Sequence, residues 1–524
     1  MKNTYLYILF LGLLSLSSCS LDTEPLTQLT DTNFYSSTDD AYTALVGCYD
    51  GLQVVGGIGG MSFPVASEVM SDDCFGGTGA SDGYNFAAVD EFDINRSPAD
   101  VDLLNGNWVA YYRAIYRCNV FLSKMDQIDW KGDEALRNTY ESETRVIRAY
   151  LYFEMVRLWG NIPLLTEPST ENIPQANPDE VYAVIAQDLV FAAENLSSGA
   201  YNSVDSGRVT KWAAKSLLGR VYLYYTGYYG KSDLVGIVTK VQALSHLEDV
   251  ITGSGHGLVD DFSTLWPAAS IDNYAGEDNK ENIFSIKYTY TSDYNGNTDG
   301  NHWMVMFGMR EFTSYPYGNG WGITVNGKLW DSYKDTDTRR SASIISVDDE
   351  EIPFDKINNQ REYTGYYNKK YSPMSDIDGN SVVTAVGGVS FQISQFQDYV
   401  VMRYSDVLLM AAELGSANAQ TYFDEVRQRA YKENFVSTTV SQENIMKERH
   451  LEFALEGVRY WDLLRQGVNT AASTIAETTE LLSGGVSDTK IISEENIKTT
   501  NGLIQIPNTQ ITLSNNVLQQ NAGW

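Results

Sequence analysis

From Thr38 to Gly253 the chain repeats one message six times over: apolar side chains recur every three or four residues, inside segments bounded by helix-starting and helix-stopping residues. Such a pattern gives each helix one apolar stripe, and stripes in series must be buried against one another. "TDDAYTALVGCYDGLQ" puts Ala41, Leu45, Cys48, Tyr49 and Leu52 on one face. "NWVAYYRAIYRCNVFLSKM" does the same with Trp108, Tyr112, Ile115, Asn119, Leu122 and Met125. "ESETRVIRAYLYFEMVRLWGNIPLL" reads as one long helix, stopped by Gly160 with Pro163 beyond it. In "NPDEVYAVIAQDLVFAAENL", Asn177 is the N-cap, Pro178 takes the first helical position, and Glu180 closes a capping box.

The next segment, "VTKWAAKSLLGRVYLYY", carries Leu218, Gly219 and Tyr222 in the Leu-Gly-x-x-Tyr arrangement of a tetratricopeptide first helix. The match is partial, because Lys215 occupies the tryptophan position. Ala213, Ala214 and Gly219 are small enough to admit a neighbouring helix, and "KVQALSHLEDVI" is the expected partner.

From about Gly253 to Tyr399 the helical period fades. Glycine, asparagine, aspartate and aromatics take over, four of the ten tryptophans lie here, and short strand-like runs such as "NIFSIKYTYT" alternate with turn clusters such as "DYNGNTDGN". Helices resume with "RYSDVLLMAAELGSA", "TYFDEVRQRAY" and "SQENIMKERHLEFALEGVRYWDLLRQG", and an irregular tail follows. The expected fold is therefore mainly α, with a loop-rich aromatic middle.

The amino terminus says where such a chain resides. Lys2 precedes an apolar run from Tyr5 to Leu14, too short for a bilayer-spanning helix, which needs about 20 residues, but suited to a secretory signal peptide. Leu16-Ser17-Ser18-Cys19 resembles a bacterial lipobox, in which the cysteine thiol is acylated and the chain is cut just before it. Cys19 then becomes the first residue of a lipid-anchored protein.

Net charge is −31, which repels phosphate backbones and argues against nucleic acid as a partner. It favours a neutral ligand over sulfated or uronate-rich ones. Cys48, Cys74 and Cys118 form neither a disulfide framework nor a metal-ligand spacing and read as buried small hydrophobes. The 35 tyrosines supply the rigid amphipathic rings that recognition surfaces use.

Signatures of catalysis fail one by one. "GASDG", Gly79 to Gly83, spells Gly-x-Ser-x-Gly around Ser81, but its flanks are turn-like rather than strand and helix. His246, His256, His302 and His450 fall in no two-ligand spacing for zinc. "DIDGN" from Asp376 opens like a calcium loop but has Gly387 at the twelfth position, so it reads as a turn. "GGIGG" lacks the lysine of a phosphate cradle. No catalytic set, metal site or cofactor signature is expected.

Several blocks together resemble the SusD/RagB family of surface lipoproteins: "RYSDVLLMAAEL", "FDEVRQRA", "ERHLEFALEGVRYWDLLRQG" and "LIQIPNTQITLSNNVLQQNAGW" in the second half, and the lipobox, "NWVAYYRAIYRCNVFL", "RAYLYFEMVRLWGNIPLL" and "VTKWAAKSLLGRVYLY" in the first. Departures are mild: His450 stands where an arginine is commoner, and Tyr460 where tryptophan is. The resemblance implies about four tetratricopeptide-like helix pairs packed against the irregular, aromatic-rich middle. It implies a signal peptide over 1–18, an N-terminal helical region over 19–235, and a C-terminal region over 236–524 that contains the loop-rich ligand-binding segment 253–399 and helices 403–467. It implies a non-enzymatic role at the cell surface, with a SusC-like TonB-dependent outer-membrane barrel as partner and a glycan, or in the RagB branch a peptide, as cargo. A glycoside hydrolase is the remote alternative.

Sugar rings stack on aromatic faces, and hydroxyl pairs bond to amides, carboxylates and guanidiniums. On that basis Trp266, Trp303, Tyr315, Tyr317 and Trp321 are candidate platforms, with Arg310 and Asn319 as polar partners. An early loop, "SDDCFGGTGASDGYNF", offers Asp72, Asp73, Tyr84, Asn85 and Phe86. "RYSDVLLMAAEL" is assigned to scaffold, with Arg403 and Asp406 as an expected ion pair.

Overall fold

The computed structural model describes residues 34–93, 95 and 103–524. The expected signal peptide and the expected lipidation site, Cys19, lie outside the described residues. Ten helices carry the architecture: α1 (Thr38–Gly56), α2 (Asn105–Lys124), α3 (Glu134–Trp159), α4 (Pro178–Asn195), α5 (Lys211–Tyr229), α6 (Lys240–Gly253), α7 (Tyr404–Glu413), α8 (Ala419–Tyr431), α9 (Gln442–Phe453) and α10 (Arg459–Leu464). The first eight pack as four pairs, α1 on α2, α3 on α4, α5 on α6 and α7 on α8, and each pair leans on the next. The protein is mainly α, as the periodicity requires.

Local signals act where they were read. Asn177 caps α4 by accepting from Asp179 N at 2.9 Å, and Glu180 Oε2 accepts from Asn177 N at 3.0 Å. Gly160 ends α3 at φ +68°, a left-handed value that glycine adopts without a steric penalty. Gly219 lets α6 approach α5, since a Cβ there would meet Leu247 Cδ2 at 2.6 Å. Cys48, Cys74 and Cys118 are buried free thiols.

Strands are short and serve as ties. β1 (Asn282–Ile286) pairs antiparallel with β2 (Tyr399–Arg403), so the loop-rich segment leaves the helical stack and returns to it at one place. The tail expected to be irregular contains a hairpin, β3 (Glu477–Ser483) with β4 (Val486–Ile492), joined by Gly484 and Gly485. Both glycines have positive φ, +62° and +77°, as a two-residue hairpin turn demands.

Arg403 and Asp406 do not pair. Arg403 turns into a buried hub, donating to Glu281 Oε1, Glu452 Oε1 and Glu456 Oε1 at 2.7 Å each. Arg429, Arg339 and Lys370 complete the hub on the same glutamates. Asp406 is held instead by Arg449 and Arg220, which overcome the effect of burial and keep its carboxyl well below the usual range. The reason is burial: both side chains are enclosed, and each needs more donors or acceptors than the other can supply.

Candidate functional site

Two loops read separately in the sequence meet on one face. Residues 309–310 pair in parallel with residues 319–320, which sets Arg310 beside Trp321, with the guanidinium carbon 5.1 Å from the ring centroid. Gly320 permits this approach, because a Cβ there would overlap Gly308 Cα and Val305 O. Arg310 Nη1 reaches Asp82 Oδ2 at 3.0 Å, and Nη2 donates to Asp82 Oδ1 at 3.2 Å. Asp82 Oδ2 also accepts from Gly79 N at 2.9 Å, closing the turn that carries Ser81.

Arg361, from the neighbouring loop, clamps the same turn. Its Nη1 donates to Gly83 O at 2.9 Å and its Nη2 to Asp82 O at 2.8 Å, while its guanidinium carbon lies 5.1 Å from the Tyr84 ring centroid. Beneath, Lys490 on β4 is buried among Asp90, Glu91 and Glu362, and this threefold carboxylate cage outweighs desolvation and raises its pKa. Tyr84 donates to Glu91 Oε1 at 2.6 Å; burial first, then this bond, pushes its hydroxyl pKa up. The hairpin tip abuts this region: Gly484 N donates to Gln360 O at 2.9 Å. Asp82, Arg361 and the hairpin were missing from the sequence reading, although Gly-Gly between alternating polar and apolar residues is a hairpin signal.

The expected ligand residues divide. Arg310, Asn319, Trp321, Asn85, Phe86 and Tyr84 are partly exposed, and Tyr315 is 51% exposed. Asn319 Oδ1 is buried and has no hydrogen-bond partner among the described residues. Trp266 and Trp303 are enclosed: Trp266 packs edge-on against Tyr371, and Trp303 contacts Phe307, Tyr371 and Tyr399. Tyr317 is also buried, in a small second core with Met309, Ile345 and Tyr367, and donates to Glu350 Oε2 at 2.5 Å. As placed, these three rings offer no face to a ligand.

Asp72 and Asp73 point to the C-terminal helices. Arg459 grips Asp72 with two bonds, at 2.7 and 2.8 Å, and His450 Nε2 lies 2.6 Å from Asp73 Oδ1. Asp72, Asp73 and His450 can place ligand atoms within 4.8 Å of one another. Both oxygens of Asp72 are already taken by a guanidinium, so the trio acts as an anchor tying the early loop to α9 and α10. In the "DIDGN" loop, Asp376 Oδ1 accepts from Asp378 N and Asn380 N at 3.0 and 2.8 Å, the geometry of a self-capped turn.

Taken together, the face offers a half-buried indole beside two guanidiniums and a carboxylate: a ring to stack on and groups to exchange hydrogen bonds with hydroxyls. Comparison with known proteins agrees in fold. The profile of the SusD family matches residues 272–524, and one described as "Starch-binding associating with outer membrane" matches residues 65–223. SusD-like protein P25 of Formosa agariphila is 24% identical over 506 residues, covering 88% of this chain and 89% of that protein. Among solved structures, a laminarin binding SusD-like protein is 29% identical with a TM-score of 0.72, covering 94% of this chain and 100% of its own. Surface glycan-binding protein A from Bacteroides thetaiotaomicron, solved in complex with laminarihexaose, is 23% identical with a TM-score of 0.75 over 93% of this chain and 100% of its own.

Proposed function

The chain belongs to the SusD family, and from that premise we propose that it captures oligo- or polysaccharide at the cell surface and delivers it to a SusC-like TonB-dependent transporter. The observation that carries the reading is the Arg310–Trp321–Asp82 surface, where two loops far apart in sequence combine an aromatic face with charged and amide groups. A laminarin binding relative at 29% identity supports a glycan as the cargo. The net charge of −31 favours a neutral one.

Trp321 and Tyr315 serve as platforms; Arg310, Asn319 and Asp82 address hydroxyls; Tyr84, Asn85 and Phe86 form the rim. Binding and release involve no bond cleavage, so the protein works without a catalytic group. The description of the matched family supports the outer membrane as its location. Acylation of Cys19 provides the attachment, and Cys19→Ser is expected to move the protein from the membrane to the soluble fraction; retention by its own attachment would sink the anchor.

Cargo capture is tested by calorimetric titration with laminarin oligosaccharides and a panel of other neutral glycans. Trp321→Ala should weaken the bound glycan about tenfold, the worth of one good ring stack. Tyr315→Ala combined with it should abolish measurable binding. Unchanged affinity in the double variant, or no affinity for any glycan in the panel, would overturn the reading.

A further inference from the structure

Where α3 and α5 meet α9 and α10, four arginines line one small cavity: Arg157, Arg220, Arg449 and Arg465. Its volume is about 30 Å³, room for one or two groups the size of water. Three of the four arginines are neutralised within the protein. Arg220 and Arg449 share Asp406, Arg449 and Arg465 share Asp462, and Arg465 also holds Glu413. Three cations thus meet three carboxylates, and none of these carboxylates reaches the fourth cation.

Arg157 is that fourth. Its Nε donates to Phe153 O at 3.2 Å, and it makes no ion pair among the described residues. Glu154, the acid one turn back on α3, accepts on its two oxygens from Tyr150 and Tyr111 instead. The rings of Phe153, Phe63 and Trp461 lie 3.9, 4.5 and 4.9 Å from the guanidinium carbon. Ring quadrupoles offset part of the charge but supply no net negative charge. An arginine does not shed its proton at working pH, so the cation persists in the interior. Arg157 is 5% exposed and Arg449 is 2% exposed. Arg157 Nη1 and Nη2 and Arg449 Nη2 bond to nothing among the described residues, yet none of the three is sealed off by protein atoms, so their open surface faces the cavity. A buried charge with unspent donors is costly unless a counter-charge accompanies it.

We propose that this cavity binds one small monovalent anion of halide size, held by the Nη groups of Arg157 and Arg449. The volume excludes sulfate and phosphate. A chain of net charge −31 draws few anions to its surface, so a bound one has to answer a local excess of positive charge, which Arg157 provides. Arg157 belongs to α3 and Arg449 to α9, so the anion clasps the first half of the helical stack to its C-terminal helices. The cavity shares no residue with the Arg310–Trp321 surface, and it stands or falls independently of the cargo reading.

The whole protein is exchanged into sodium gluconate and melted after titration with sodium chloride or sodium bromide at constant ionic strength. Chloride is expected to raise the melting temperature saturably, by about 2–3 °C once it reaches about 100 times its Kd. Crystals soaked in sodium bromide should show one anomalous peak bridging Arg157 and Arg449. Arg157→Met should remove both the peak and the chloride dependence; if that variant does not fold, the wild-type melting curves and peak still decide. The proposal is overturned if halide and gluconate melt alike, if the cavity of the soaked crystal holds water only, or if Arg157→Met keeps the chloride dependence. A bromide peak without a melting shift would be an adventitious ion only, and overturns it too.

Discussion

Replacing Arg403 by Met tests how the loop-rich region is fastened to the helical stack. Arg403 ends β2 and makes charge-assisted bonds to three glutamates from two other segments, Glu281 beside β1 and Glu452 and Glu456 at and beyond the end of α9. All four residues are at most 4% exposed. Methionine fills much of the same volume but leaves Glu456 with Lys370 as its one remaining cation, and Glu281 with Arg429. Breaking a buried ion pair from one side costs about 3–5 kcal/mol. Unfolding entropy is about 2 cal/mol/K per residue, so a chain of 524 residues gains about 1 kcal/mol/K. The expected loss in melting temperature is therefore about 3–5 °C, read by differential scanning calorimetry. Adding Glu456→Met should recover part of the loss, because burial already holds Lys370 down to about 8 and its proton is cheaply released. A single variant melting at the wild-type temperature, or a double variant no better than the single one, would refute the desolvation argument.

Glu154 is wholly buried, and burial lifts its pKa to about 7 despite donors from Tyr150 and Tyr111. Between its ordinary value of 4.5 and about 7 the folded state keeps a proton that the unfolded state has lost, so stability falls as pH rises, by about 3 kcal/mol across that window. Glu154→Gln should flatten the decline in denaturant titrations, and an unchanged pH slope would count against it. Gly320→Ala should lower glycan affinity about as much as Trp321→Ala does, although Gly320 need not touch the cargo, because its Cβ would push against Gly308 and Val305 backbone and part the strands that seat Arg310. Full affinity with normal circular dichroism would show that this pairing does not set the site. Asp82→Asn should spare the fold but loosen the 79–83 turn from Arg310, visible as faster proteolysis there; wild-type protection would assign the clamp to Arg361 alone.

What the sequence disclosed and what it hid follow from the range of the interactions. Caps are local, and so Asn177, Glu180 and Gly160 could be read directly. Helix stripes are nearly local, and Leu45, Cys48, Ile115 and Met125 are buried as the period demands. Ion pairs are not local: Asp406 has an arginine three residues away, yet takes Arg220 and Arg449 from other helices. Loop aromatics are the hardest case, because a tryptophan has the same letters whether core or platform. The neighbours still differ. Trp303 lies in "HWMVMF", where five successive residues from Trp303 to Phe307 are buried, a run that only a core can absorb. Trp321 sits in "GNGWGI", where glycines keep the backbone close and leave one large ring at the edge. Glycine is thus the part of a loop site that sequence can reveal. Gly79 makes the point: a Cβ there would meet Arg310 Nη2 at 2.5 Å, so the residue is small because a guanidinium from 231 positions later must pass to reach Asp82. Glycines in the early loop mark where a distant side chain arrives, and only the folded helical stack determines which one it is.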